Sequence, residues 1–268
     1  MEKEVEKIYD KYAKDYSGDF APTTFDNSRS ALSFANDITW HFILKYLSKN
    51  KNIKILDAGA GDGFWSKKLI KLGYKNLTLS DISKGMLEEA KKNFAKLKGN
   101  IKFIKSDISN MKEFKSNSFD FVFSQYDPVS YCMKPKEAIK ELSRVAKKGA
   151  YISVSLDTKF RRVPELIEAG QIKKAKELLK TNISYDFVHP QYNLTGEELS
   201  NFFELAGIKV IEVIGAPVFM HQINDKIREK LENNLKIRKE LLQLELDNCT
   251  NKSLVNFAGH LQIVGRKK

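Results

Sequence analysis

Ile55-Leu56-Asp57-Ala58-Gly59-Ala60-Gly61-Asp62-Gly63-Phe64-Trp65 is the segment whose residue types and spacing most clearly carry chemistry. An apolar run enters a loop with glycine at every second position, and an amphipathic stretch leaves it. Glycines let backbone N–H groups come close to a ligand, and the start of a helix favours an anionic group. A dinucleotide-binding loop places its third glycine where this chain has Phe64. It also carries no acid like Asp57, since a carboxylate beside two phosphates is repulsive. The acid suits a ligand that bears a cation. A tight strand-to-helix turn with no ligand is the competing reading of the glycines alone. Two more acids, Asp81 and Asp107, end the next two apolar runs. On a parallel sheet the strand ends line one crevice. There Asp81 can accept both hydroxyls of a ribose and Asp107 an exocyclic amine of adenine; each taken singly reads equally well as a helix N-cap.

These residues need a sheet to hold them. Short apolar runs at Ile53–Leu56, Leu77–Ser80, Ile101–Ile104, Phe119–Phe123 and Tyr151–Val154 alternate with helical patterns at Phe64–Leu72, Ser83–Leu97 and Pro135–Ala146. That alternation predicts βαβ units on a parallel sheet with helices on both faces. Two helices precede it, at about Glu2–Asp15 and Ser28–Leu47, the first with Ile8, Tyr9, Tyr12 and Tyr16 on one face. One or two basic helices follow over Val163–Leu179, broken near Gly170. Thr195 and Glu198 form a capping box for a helix that Gly207 closes. A strand at Lys209–Ile214, a long helix at about Asn224–Leu246 and a last strand at His260–Val264 complete the pattern. No crossover helix follows that last strand, so it can enter the sheet antiparallel.

At 268 residues with 42% hydrophobic content the chain can build a substantial core, and 30% charged residues are a solvated surface. No apolar run is long enough to span a bilayer, and the charged N-terminus has no apolar signal-peptide core. Two cysteines, Cys132 and Cys249, supply neither a disulfide framework nor a zinc site. A soluble cytoplasmic protein is expected. The net charge of +12 raises the question of nucleic acid. Only seven of the 46 basic residues are Arg, however, and Lys is spread over every expected helix. A solvated surface is favoured over a nucleic-acid face, which usually leans on Arg forks.

Taken together, the chain resembles the class I, Rossmann-like S-adenosylmethionine-dependent methyltransferases over nearly its full length. The resemblance rests on Asp57-x-Gly59-x-Gly61-x-Gly63, Asp81-Ile82-Ser83 with Met86, Ser106-Asp107-Ile108, Phe119-Asp120-Phe121-Val122 and Glu141-Leu142-Ser143-Arg144-Val145. Thr195–Leu199 and the ending His260–Lys267 extend it. It implies an α/β fold with a seven-stranded, mostly parallel sheet, its last strand antiparallel, and helical lid additions. Residues 1–50 would form the N-terminal lid, 51–156 the cofactor half and 157–268 the substrate half, with insertions at about 157–190 and 224–247. It also implies S-adenosyl-L-methionine as cofactor, with S-adenosyl-L-homocysteine as product. Asp57, Gly59, Ala60 and Gly61 would bind the cofactor, with Gly59 to Gly63 in contact with its methionine part. Asp81 would take the ribose, Ile82 would pack on adenine, Met86 would also bind the cofactor, and Asp107 and Ile108 would meet the adenine edge. Gln125 would lie under the sulfonium, and Tyr16 would touch the cofactor from the lid.

The N-terminal pattern Ile8-Tyr9-Asp10-x-Tyr12 resembles the small-molecule branch that includes ubiquinone and menaquinone methyltransferases. A small-molecule acceptor is therefore expected, with the protein a monomer or homodimer and no metal. An RNA-directed methyltransferase and a cofactor-binding module without turnover are the alternatives. Gln125-Tyr126-Asp127-Pro128 does not match the Asn/Asp-Pro-Pro-Tyr of amino methyltransferases. Among the four histidines, His189 and His221 follow strands on the acceptor side, whereas His260 is expected far from the crevice and His41 on a helix. His189 is the candidate base, with Tyr126 and Tyr192 shaping the pocket. His189→Ala is expected to lower turnover by about two decades while leaving cofactor affinity within about twofold. Transfer from labelled cofactor to acceptors found among phenols, quinols and amines measures it, and full activity would discard this base.

Overall fold

The computed structural model describes residues 2–14, 29–185 and 190–268, so Tyr16 and His189 lie outside the described residues. Two helices come first, α1 (Glu2–Tyr12) and α2 (Arg29–Tyr46). Then follow β1 (Lys54–Ala58), α3 (Phe64–Lys71), β2 (Asn76–Asp81), α4 (Lys84–Phe94), β3 (Asn100–Lys105) and β4 (Phe119–Ser124). After β4 come α5 (Pro128–Tyr131), α6 (Pro135–Val145), β5 (Ala146–Asp157), α7 (Lys159–Glu168) and α8 (Ile172–Thr181). The C-terminal part holds β6 (Ile183–Tyr185), β7 (Pro190–Tyr192), α9 (Gly196–Leu205), β8 (Ile208–Ala216), α10 (Asp225–Glu232), α11 (Leu235–Asn248) and β9 (His260–Lys267).

Seven strands form one sheet in the order β3-β2-β1-β4-β5-β9-β8. β1 to β5 are parallel, and β9 runs antiparallel between β5 and β8. The chain winds outward from β1 in one direction to β3, then returns to β4 on the other side. The crevice for a ligand therefore opens at the carboxyl ends of β1 and β4. Alternate residues of each strand face opposite layers. Leu56, Ala58 and Val122 join the core under α6 and α9, whereas Ile55, Phe121 and Phe123 join the core with α2, α3 and α4. The capping box of α9 forms as expected: Thr195 Oγ1 accepts from Glu198 N and Glu198 Oε2 from Thr195 N.

Three elements depart from the sequence expectation. The long helix over residues 224–246 is two, because Asn234 turns its side chain onto the Lys236 and Ile237 N–H groups and starts α11 afresh. Asn competes for backbone donors in this way wherever a helix can restart. The β6–β7 hairpin has strands of three residues each, too short to show a period. α5 is a single turn entered by Pro128.

Gly63 shows how tightly the glycine loop is seated. It sits at φ 86°, and a Cβ there would lie 2.5 Å from the Phe94 ring and 2.9 Å from Leu79. Gly63→Ala combines left-handed strain with overpacking. It is expected to cost about 2–4 kcal/mol, read as a lower midpoint in denaturant unfolding.

Candidate functional site

Between α1 and the carboxyl ends of the first four strands lies a cleft of about 900 Å³ of empty space, part of it open to solvent. Its floor is the glycine loop. The N–H groups of Gly59 and Ala60 both donate to Ser80 O, at 2.7 and 2.9 Å, which pins the loop to β2. Gly61 N–H donates to Asp81 Oδ2 at 2.8 Å, and Ser83 N–H donates to the other oxygen, Oδ1, at 2.9 Å. A carboxylate has about four lone-pair sites, so Asp81 braces the loop and keeps acceptor capacity toward the cleft it lines. At Gly59, φ is 75° and a Cβ would lie 2.3 Å from Pro128. Only glycine lets the segment after β4 close over the loop.

The sequence-predicted residues Gly59, Ala60, Gly61, Asp81, Ile82, Met86, Asp107, Ile108 and Gln125 all line this cleft. Asp57 does not; it lies buried behind the loop, where its Oδ2 accepts from Ser66 Oγ at 2.7 Å. Burial pushes the Asp57 carboxyl up to about 7, and Asp81 and Asp62 push the same way. Burial likewise raises Asp81 to about 6. Asp107 accepts from the Ser109 N–H at 2.8 Å, an Asx turn that aims the strand end. Gln125 donates its Nε2 to Ser153 O and Oγ, while its buried Oε1 has no hydrogen-bond partner. The carboxylates of Asp81 and Asp107 on the walls and the unpartnered oxygen of Gln125 beside them make an acceptor-rich site. It fits the ribose hydroxyls, adenine amine and positive charges of S-adenosylmethionine, and it would repel a pyrophosphate.

α1 roofs the cleft. Val5 and Tyr9 line it from above. Asp10 Oδ1 accepts from Ser83 Oγ at 2.6 Å and Gly85 N–H at 2.8 Å, so the roof is latched to the turn that Asp81 holds. Tyr9 meets Tyr131 of α5 with ring centres 6.2 Å apart, which carries the roof across to the far wall.

That far wall is aromatic. Trp40 stacks on Trp65 at 6.1 Å, and Trp65 on Tyr126 at 5.8 Å with an interplanar angle of 14°. Tyr126 and Asp127 sit at φ 60° and 77°, two consecutive non-glycine residues in the left-handed region. Such strain costs about 1–2 kcal/mol per residue and marks functional sites. His260 is not far from the crevice as expected. Its ring centre lies 4.9 Å from that of Tyr126, and its Nε2 lies 3.4 Å from Asp127 Oδ2 and 3.2 Å from Asp157 Oδ1. The sequence expectation failed because β9 is inserted between β5 and β8, which brings its first residue to the cleft end of the sheet. Asp127, Asp157 and His260 offer three grouped ligand atoms, but Arg161 brings a guanidinium within 3.4 Å of Asp157 and supplies the cation. Tyr192 does not line the cleft; its backbone O instead accepts from Ser130 Oγ. His221 is also not among the lining residues, and burial lowers its imidazole to about 4. Cys132 lines the cleft with a thiol that burial pushes up to about 12, so it is inert as a nucleophile. Trp65, Pro128 and Tyr131 were given no role from sequence. Trp65 adjoins the glycine loop, which is signal enough; α5 had no period to reveal it.

Residues 55–149 match a family described as a methyltransferase domain. That match covers about a third of the chain, the segment that holds the glycine loop and the ends of β2 and β3. A malonyl-[acyl-carrier protein] O-methyltransferase of Buchnera aphidicola is 34% identical over 135 residues. That match spans 50% of this chain and 50% of the relative, about half the length of each. Among solved structures, an S-adenosylmethionine-dependent methyltransferase from Methanosarcina mazei aligns with a TM-score of 0.60, 19% identity and coverage of 84% and 96%. A possible histamine N-methyltransferase from Thermotoga maritima aligns at 0.59, 18% identity and 98% and 99% coverage. The [4+2]-cyclase SpnF aligns at 0.64, 15% identity and 98% and 94% coverage. At these identities the structural likeness is one of fold.

The latch between α1 and α4 gives a direct test. Asp10→Ala removes the acceptor for two donors at the start of α4. Amide exchange over residues 2–14 is expected to quicken by about tenfold, for a charged hydrogen bond worth about 1.5–3 kcal/mol. Unchanged exchange would show that α1 is held by packing alone.

Proposed function

We propose that this domain binds S-adenosyl-L-methionine and moves its methyl group to a small-molecule acceptor, an activity of the class EC 2.1.1.-. One observation carries the reading: Asp81, at the end of β2, braces the glycine loop through Gly61 and still faces the cleft, beside Asp107 at the end of β3. The bound cofactor supplies an electrophilic methyl on a sulfonium, displaced in line by the acceptor. The chain's own residues position and exclude. Asp81 accepts from the ribose hydroxyls. Asp107 and Ile108 hold the adenine edge, with Ile82 and Met86 packed beside it. Gly59 to Gly61 admit the methionine part, with the carboxylate of Asp57 behind them. Gln125 offers its unpartnered oxygen. Tyr126, Trp65 and Tyr131 form an apolar wall toward the acceptor, and α1 keeps water out. Orientation of this kind supplies much of a transfer reaction's barrier reduction.

Residues 1–50 then act as the lid, 51–156 as the cofactor half and 157–268 as the acceptor half. The small acceptor is supported by the aromatic wall under a helical roof, and the Buchnera relative is by name a malonyl-[acyl-carrier protein] O-methyltransferase. No helix among the described residues is long and apolar enough to cross a membrane.

Calorimetry with S-adenosylhomocysteine tests the reading. Asp81→Ala is expected to weaken binding by about one to two decades; unchanged affinity in a folded variant overturns the assignment. In the free domain Asp81 holds a proton below about pH 6. The ligand's hydroxyls donate to the ionised form, so binding expels that proton. Affinity is therefore expected to fall as pH drops through about 6 and to level off above it, with proton release seen as a buffer-dependent binding heat.

A further inference from the structure

We propose that His260 is a positioning residue, which fixes the Tyr126 ring in the wall of the cleft by bridging the buried carboxylates of Asp127 and Asp157. The proposal rests on the reading of the cleft as a cofactor and acceptor site. It starts from the backbone. Tyr126 and Asp127 occupy the left-handed region in succession, a conformation that neither residue type prefers. Something outside the segment must over-determine it. Tyr126 N–H donates to Ser155 Oγ and Asp127 N–H to Ser155 O, which ties the turn to β5. Asp127 Oδ1 then accepts from the Asp157 N–H at 2.7 Å. That leaves Asp127 Oδ2 and Asp157 Oδ1 facing each other with little solvent, since both residues are at most 9% exposed. Two like charges so placed repel, and burial makes the repulsion expensive.

His260 resolves this. It is the first residue of β9, paired with Asp157 on one side and Ala216 on the other, so the sheet itself delivers it. Its Nε2 lies 3.2 Å from Asp157 Oδ1 and 3.4 Å from Asp127 Oδ2; the Asp157 oxygen takes no hydrogen bond, so the attraction there is one of charge. Burial pulls the imidazole's pKa down, but Asp157 and Asp127 outweigh it and the net shift is upward, toward the imidazolium. The other groups facing the cluster are Arg161, 3.4 Å from Asp157 Oδ1, and Gln191, whose Nε2 lies 3.4 Å from Asp157 Oδ2. Burial and the neighbouring Asp157 raise the Asp127 carboxyl, whereas at Asp157 the burial penalty is outweighed by Arg161, His260 and Arg162, so the negative charge of the cluster is held on Asp157. The ring also packs against Tyr126, opposite in role to Trp65, while the Tyr126 hydroxyl donates to Asn36 Oδ1 at 2.7 Å. Without the imidazole the two carboxylates lose their bridge, and the Tyr126 ring loses the side chain packed on it from β9, leaving the turn to its hydrogen bonds with β5.

The protein has two tryptophans, Trp40 and Trp65, and both belong to the stack that ends on Tyr126. The near-ultraviolet circular dichroism of the whole chain therefore reports how the Tyr126 ring sits. His260→Ala is expected to lower that aromatic signal by half or more, toward the level of Tyr126→Ala. His260→Gln, which returns an N–H donor close to the place of Nε2, is expected to recover most of it. A merely structural role would lower the thermal midpoint in both variants without this split. An unchanged signal in folded His260→Ala, or no recovery in His260→Gln, overturns the proposal. Should His260→Ala not fold, Asp157→Asn replaces it: the size is kept, the charge that holds the imidazole is lost, and an unaltered aromatic signal again overturns the proposal. S-adenosylhomocysteine binding by the wild-type chain is measured separately. Its absence would remove the cofactor reading while leaving the dichroism comparison standing.

Discussion

The hydrogen bond from Gly61 N–H to the Asp81 carboxylate is the constraint on which the rest of the site depends. It joins the loop after β1 to the end of β2, so the floor of the cleft and its first wall form as one unit. The second oxygen of the same carboxylate holds the Ser83 N–H, and Ser83 in turn gives its hydroxyl to Asp10 on α1. One buried side chain thereby connects floor, wall and roof. The connection has a cost, visible in the raised pKa of Asp81 and of Asp57 behind it. A cluster of carboxylates around a glycine loop is poorly neutralised until a ligand rich in donors and positive charge arrives. Stability lost to this crowding in the free domain is affinity gained on binding.

The two sides of the cleft are built by different physics. The side formed by β2 and β3 uses main-chain amides and carboxylates at strand ends, where parallel strands place them by register. The side formed by β4 and β5 uses an aromatic stack and an ionic cluster to hold a strained turn, because the wall there must present a flat apolar ring to the cleft. Pro128 links the two, since it closes over Gly59 at a distance that no Cβ would tolerate. The β2–β3 side depends on backbone geometry, and the β4–β5 side on side-chain packing, which can vary without disturbing the loop. The same architecture is found in a possible histamine N-methyltransferase and in the [4+2]-cyclase SpnF. Fold alone does not select among such chemistries.

Local chemistry determined much of this protein. The glycine loop, the acids at the ends of β1, β2 and β3, the capping box of α9 and the antiparallel last strand are written in adjacent residues, because backbone conformation and hydrophobic period are short-range properties. Every lining residue expected around the cofactor, apart from buried Asp57 and the undescribed Tyr16, sits where its strand end put it. Only the tertiary structure decided the aromatic wall. His260, Asp157 and Tyr126 are far apart in the chain and come together because β9 inserts beside β5. The roles of Pro128 and Asp10 rest on close approaches between separate elements. The split of the long C-terminal helix at Asn233 and Asn234 fell between these cases, since its cap is local but competes with an otherwise unbroken helical period. Contacts between distant strands depend on sheet order, and no spacing along the chain encodes the distance across it.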